Sequence, residues 1–129
     1  MLDVEQPIIG AINGDAVGLG ATIALFCDVI VAAEKAGFGD PHVRVGIVAG
    51  DGGAVIWPLL IGPARAKEFL MRGHLGDGAG AAKIGLVNYA VPLEEVLPKA
   101  GRSRGSLPMD RPGRSGGASS RSTNGSRTR

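Results

Sequence analysis

What most constrains this chain is a strand, a glycine-rich turn and a helix in direct succession, followed at once by a second strand. The run Pro7-Ile-Ile-Gly-Ala-Ile-Asn13 is rich in β-branched residues and bounded by Pro7 and by Asn13-Gly14, which predicts a short buried strand ending in a turn. The turn Ala16-Val-Gly-Leu-Gly-Ala-Thr22 runs straight into Ile23-Ala-Leu-Phe-Cys27, an apolar segment of helical length that Asp28 closes. Val29-Ile-Val-Ala-Ala33 is apolar at every position rather than at alternate ones. That is the pattern of a strand buried on both faces, as in a parallel sheet covered by helices. A unit of this kind places the chain in the α/β class.

Further along, Ala54-Val-Ile-Trp-Pro-Leu-Leu-Ile61 and Pro63-Ala-Arg-Ala-Lys-Glu-Phe-Leu-Met-Arg72 predict two helices. The second is the sharper signal: Pro63 stands where a helix can begin, and Ala66, Phe69 and Leu70 share one face. A short helix is expected over Ala79 to Ile84, weakened by Gly78 and Gly80, and a last strand over Gly85 to Val91. No internal repeat is evident. At 129 residues there is room for one domain, since domains commonly run to ~100–200 residues.

The formal charge of +2 averages two unlike regions. Residues 1–100 carry seven Lys/Arg against eleven Asp/Glu, a net of −4, whereas residues 101–129 carry seven Arg and only Asp110, a net of +6. From Gly101 the composition turns to Gly, Ser, Arg and Pro, with Leu107 and Met109 its only large apolar residues. Such a segment buries too little surface to offset the entropy of ordering it, so residues 101–129 are expected to form a disordered basic tail after a domain at 1–100. The tail reads either as an interaction segment or as an out-of-frame reading of GC-rich coding sequence. It carries no aromatic residue to stack bases, and no nucleic-acid motif precedes it, so a nucleic-acid partner is not expected. No apolar run approaches the ~18–20 residues that span a bilayer, and the amino terminus lacks the basic start and apolar stretch of a secretory signal. A cytoplasmic protein without a membrane partner is the expectation.

The chemistry rests on an ordered series: Asn13-Gly-Asp-Ala-Val-Gly-Leu-Gly20, Cys27-Asp-Val-Ile-Val-Ala32, Phe38-Gly39, Gly50-Asp-Gly-Gly53, Gly62 and Gly85-Leu-Val-Asn88. A glycine-rich turn between strand and helix lets backbone N–H groups approach a ligand. No Gly-Lys-Ser/Thr follows to suggest a nucleotide loop. In this order, over about Pro7 to Ala100, the series resembles the enoyl-CoA hydratase/isomerase, or crotonase, superfamily. The resemblance implies a central piece of that family's β-β-α spiral, acting on acyl-CoA thioesters through oxyanion (enolate) stabilisation, in fatty acid metabolism, with lyase or isomerase chemistry. Coenzyme A enters as part of the substrate, and no further cofactor or metal is implied. The family's intact members imply a homo-oligomer, a trimer or hexamer.

By the same resemblance one oxyanion donor maps onto the backbone N–H of Leu19, flanked by Gly18 and Gly20. A leucine there departs from the family's usual glycine but keeps the N–H. The family's second donor lies on an upstream loop, and only six residues precede Pro7. Removing one such donor has cost ~3–4 kcal/mol in a protease, so a missing donor impairs activity. Hydratases of the family place two glutamates at positions that here hold Thr22 and His42, so a two-glutamate hydration mechanism is not available. His42 and Asp51 offer another acid/base pair, a carboxylate that charges and orients an imidazole. Their spacing, with Gly46, Trp57 and Pro58 around them, resembles the family's oxo-camphor type branch, which hydrolyses carbon–carbon bonds of cyclic diketones. Three readings stay open: an acyl-CoA enzyme, a cyclic-diketone hydrolase, and an inactive remnant.

The other notable residues have plainer readings. Cys27 has no Cys or His at metal spacing and reads as a core thiol. Trp57 is expected to pack in the core, with pocket lining as its functional alternative. Asp15, Asp28 and Asp40 read as turn or cap residues, Asp40 also being a candidate for its closeness to His42. His74 reads as a surface residue, and Arg65 and Lys67 as an exposed helix face.

Overall fold

The computed structural model describes residues 3–108, and its plan follows from a strand–strand–helix repeat. The first turn of the repeat is β1 (Ile9–Ile12), β2 (Ala16–Val17) and α1 (Leu19–Leu25). The second is β3 (Val29–Ala33), β4 (Gly37–Gly39), a 3-10 helix at Pro41–Val45, then α2 (Gly53–Ile61) and α3 (Pro63–Arg72). Each turn lays one strand on each of two sheets, so β3 pairs in parallel with β1 and β4 in parallel with β2. The chain closes with β5 (Gly76–Asp77), α4 (Gly78–Lys83), β6 (Tyr89–Val91), a short 3-10 turn at Leu93–Glu95 and α5 (Val96–Gly105). Here the repeat changes, since β5 joins β4 antiparallel while β6 extends the first sheet in parallel. The α/β spiral expected from the sequence is the fold observed.

The uniformly apolar β3 is the central strand of the first sheet, in the order β1-β3-β6, and Val31 and Ala32 are fully buried. Its neighbours are set by two polar side chains. Asp28 accepts from the Ile8 N–H at 2.8 Å, which ties the start of β1 to the turn before β3. Asn88 Oδ1 accepts from the Ile30 N–H at 2.7 Å, which seats β6 against the other edge. The expected strand over Gly85 to Val91 is therefore shorter. Leu86 still bonds through its N–H to the Ala81 carbonyl near the end of α4, and bonding to β3 starts only with the Asn88 N–H, which donates to the Ile30 carbonyl at 3.1 Å.

Trp57, Phe38, Leu25, Leu86 and Val96 anchor the core. Trp57 is fully buried, its ring 5.1 Å from that of Phe69 on α3. The face of Ala66, Phe69 and Leu70 packs inward as its spacing required, and Arg65 and Lys67 are exposed. The chain does not lose order at Gly101. Val96 and Ala100 are buried against the first sheet, so α5 is anchored one turn earlier and continues to Gly105. Ser103 Oγ donates to the Lys99 carbonyl at 3.0 Å, and Arg102 and Arg104 lie where the helix dipole favours cations. The expectation of disorder was wrong for residues 101–105; residues 109–129 lie outside the described residues. No described helix is long and apolar enough to cross a membrane.

Candidate active site

The chemistry-bearing residues meet where the Gly18 turn, the 3-10 helix and the start of α2 come together. Asp40-Pro41 is a helix-start signature, a capping carboxylate followed by a proline whose missing N–H costs nothing there. Asp40 caps the 3-10 helix by accepting from the His42 N–H at 3.3 Å. The same oxygen, Oδ1, is hydrogen-bonded to His42 Nδ1. The Asp40 side chain is fully buried, while that of His42 keeps 23% of its surface.

The other ring nitrogen, His42 Nε2, faces Asp51 Oδ2 at 3.5 Å. Asp51 is held by long contacts: its Oδ1 lies 3.4 Å from Thr22 Oγ1 on α1 and 3.4 Å from the Gly53 N–H at the start of α2. Thr22 is buried and has the Gly18 carbonyl as a second acceptor at 3.3 Å, so its single hydroxyl proton serves one of the two at a time. The hydrogen bond from Asp40 holds the His42 imidazole above its ordinary value; partial burial opposes this, and the charges of Asp40 and Asp51 reinforce it.

The imidazole also lies close to the proposed oxyanion turn. Gly18 has φ +56, a conformation that only glycine adopts readily, and a Cβ there would sit 3.4 Å from His42 Cε1. The Gly18 N–H is spent on the Gly39 carbonyl at 2.9 Å, which fixes the turn to β4. Leu19 is the first residue of α1, where an N–H has no partner within its own helix, and Leu19 and Gly20 are exposed. The turn, His42 and Asp51 thus lie together.

Three expectations need correcting. Asp40 does more than cap, because its carboxylate and not that of Asp51 makes the close bond to the imidazole. Its position two residues before His42 was the available signal. Trp57 packs in the core as expected, and only its alternative as a pocket-lining, substrate-binding residue falls, because the packing of α2 on α3 covers it completely. His74 is half-buried and stacked on Phe69 with ring centroids 4.5 Å apart, because the chain turns back at Gly73 and lays the imidazole on α3.

Among the described residues Asp40, His42 and Asp51 form the one grouping with metal-ligand atoms close together, all within 4.8 Å. With Nδ1 occupied by Asp40, only Nε2 and an Asp51 oxygen remain on the open side, fewer than the three protein ligands of a catalytic zinc. The arrangement fits proton transfer better. Asp40 also borders a hollow of about 250 Å³ whose other walls, Val43, Ile47, Val48, Leu70 and Met71 among them, are mainly apolar. A larger cavity of about 380 Å³, bordered by Asn13, Asp15, Glu34 and Lys35, lies where β1 and β3 end and includes none of the three residues.

Fold and site define a class that comparison with known proteins bears out. Residues 1–107 match the family described as enoyl-CoA hydratase/isomerase. A crotonyl-CoA hydratase of Syntrophomonas wolfei is 41% identical over 104 residues, 81% of this chain and 40% of that protein. A probable mitochondrial enoyl-CoA hydratase of Dictyostelium discoideum is 41% identical over 97 residues, 75% of this chain and 35% of its own length. The crystal structure of an enoyl-CoA hydratase from Bacillus anthracis superposes with a TM-score of 0.78 at 38% identity, covering 80% of this chain and 40% of that one. The chain belongs to the enoyl-CoA hydratase/isomerase family, within the crotonase superfamily. It spans about two-fifths of the length of the relatives it matches.

Proposed function

We propose that this chain acts on an acyl-CoA thioester, with His42 as the proton-transferring group and the Leu19 N–H as a donor to the thioester oxygen. The observation that carries the reading is the imidazole held by Asp40 close against the Gly18 turn. His42 Nε2 takes a proton from the carbon next to the carbonyl. The electron pair moves onto the carbonyl oxygen, and the resulting enolate is met by the Leu19 N–H. Preorganised donors of this kind are usually the largest contribution to such catalysis. The apolar hollow beside Asp40 has room for a short hydrocarbon chain. Intact members' self-association is part of the same proposal, and exposed Val55, Leu59 and Met71 on α2 and α3 support it.

The test is hydrogen exchange at that carbon. The full chain is incubated with a saturated short-chain acyl-CoA in deuterium oxide, and label uptake is followed by mass spectrometry. Uptake that disappears in His42→Gln supports the proposal. No uptake by the wild-type chain, together with a melting temperature that an enolate-mimicking acyl-CoA analogue leaves unchanged, favours an inactive remnant.

One observation favours a second reading. The family resemblance implies that Thr22 and His42 replace the two glutamates of its hydratases, and Asp51 faces the open nitrogen of His42. The pair can instead take a proton from water, whose oxygen then attacks a ring carbonyl of a cyclic diketone. The carbon–carbon bond breaks, its electron pair forms an enolate, and the proton is returned to carbon. Ring opening of a bicyclic diketone without exchange on acyl-CoA would select this chemistry.

A further inference from the structure

The two carboxylates around His42 differ in burial, in hold and in the nitrogen they face, and the difference assigns them separate tasks. Asp40 is fully enclosed, and its Oδ1 is fixed twice, by the His42 N–H and by Nδ1. Its Oδ2 is buried with no partner among the described residues and lies against the start of α2, where a Cβ on Gly53 would run into it. The two bonds to Oδ1 hold the carboxylate against the ring. Asp51 keeps 22% of its side-chain surface, and each of its contacts is 3.4 Å or longer. A contact of that length lies at the outer limit of a hydrogen bond and does not orient a ring.

We propose that Asp40 is the positioning residue of this site: its buried carboxylate keeps the proton of neutral His42 on Nδ1 and leaves Nε2 bare toward Asp51 and the Gly18 turn. An ionised carboxylate only accepts, so the nitrogen against it carries the hydrogen, and in neutral imidazole the other nitrogen then holds the lone pair. Asp51 cannot donate to that lone pair while ionised. It instead receives the N–H that forms when Nε2 takes up a proton, and so stabilises the product of proton abstraction. One carboxylate sets which nitrogen reacts, and the other sets how readily the proton stays. The inference builds on the site proposed above, but its test does not depend on any reaction.

The measurement is the two-bond proton–nitrogen NMR spectrum of the full chain labelled with ¹⁵N-histidine, with His74→Gln to assign the two histidines. Above its titration His42 should show Nδ1 with the shift of a protonated ring nitrogen and Nε2 with that of a bare one. Asp51→Asn should keep this tautomer. Asp40→Asn should weaken the preference and lower the His42 titration midpoint by about one pH unit or more, the usual result of removing an adjacent opposite charge. A proton on Nε2 in the wild-type chain overturns the proposal, and so does a tautomer that Asp51→Asn abolishes. If Asp40→Asn fails to fold, the wild-type and Asp51→Asn spectra still decide. A chain with the Nδ1–H tautomer but no isotope uptake sinks the acyl-CoA reading alone, and uptake with the opposite tautomer sinks this inference alone.

Discussion

The first sheet and residues 40–53 are built on opposite plans. In the sheet, β3 is apolar along its whole length, is covered on both faces, and satisfies its polar groups mainly through backbone pairing with β1 and β6, with Asn88 Oδ1 taking the Ile30 N–H. In residues 40–53 two carboxylates and an imidazole are gathered on irregular backbone, and apolar side chains such as Val45 and Val48 stand exposed. Stability and reactivity are thereby separated: the sheet and the helices on it carry the fold, and the loop carries a charge cluster that burial alone would not favour. Substitutions can test whether that division holds.

The largest effect is expected from Trp57→Ala, whose ring belongs to the same core as β3. Truncation should cost about 3–5 kcal/mol, read from the denaturant midpoint of the full chain. A loss under 1 kcal/mol would mean that the helices on the sheet are loosely packed. Next comes His42→Gln, expected to lower isotope exchange on an acyl-CoA by about 10²–10⁴-fold, the usual contribution of a positioned acid or base. The change also leaves buried Asp40 without its ring partner, so the denaturant midpoint should fall, but by less than for Trp57→Ala; an equal fall would erase the proposed separation.

Thr22→Val tests the border between the two regions, since the hydroxyl is buried and reaches both Gly18 and Asp51. The loss should be about 1 kcal/mol, that of an ordinary hydrogen bond, with a change in exchange rate smaller than that of His42→Gln. The smallest effect is a pH dependence. His42 is held above its ordinary 6.5 in the folded chain. Its contribution to stability is therefore fully present below 6.5 and is lost as the pH rises through the raised folded value. Melting curves across that interval should fall more steeply for the wild-type chain than for His42→Gln.

Much of the framework was legible because it depends on long, consistent patterns. The continuous apolar run gave β3 its limits at Val29 and Ala33, and Pro63 with the inward face at Ala66, Phe69 and Leu70 gave α3. The two-residue strands β2 and β5 were not legible, since two residues carry no period and their pairing is fixed by the other strands. Composition misplaced the end of the fold at Gly101, because two buried residues, Val96 and Ala100, outweigh the polar last turn of α5. In the site, the spacing of His42 and Asp51 indicated which residues meet. The stronger partner, Asp40, was read as a cap and is one; sequence gives no sign that a single oxygen serves both the backbone and the ring.

The sheet order also governs when the fold can form. β1 and β3 are joined early, with Ile8 and Asp28 only 20 residues apart, but Ile30 waits for Asn88, 58 residues later. Until that strand and α5 arrive, one edge of β3 is left unpaired. Closing so long a loop is slow compared with local pairing, and an open apolar strand edge is a site of aggregation. During synthesis β3 is thus made well before β6 and α5, and is enclosed only once they follow.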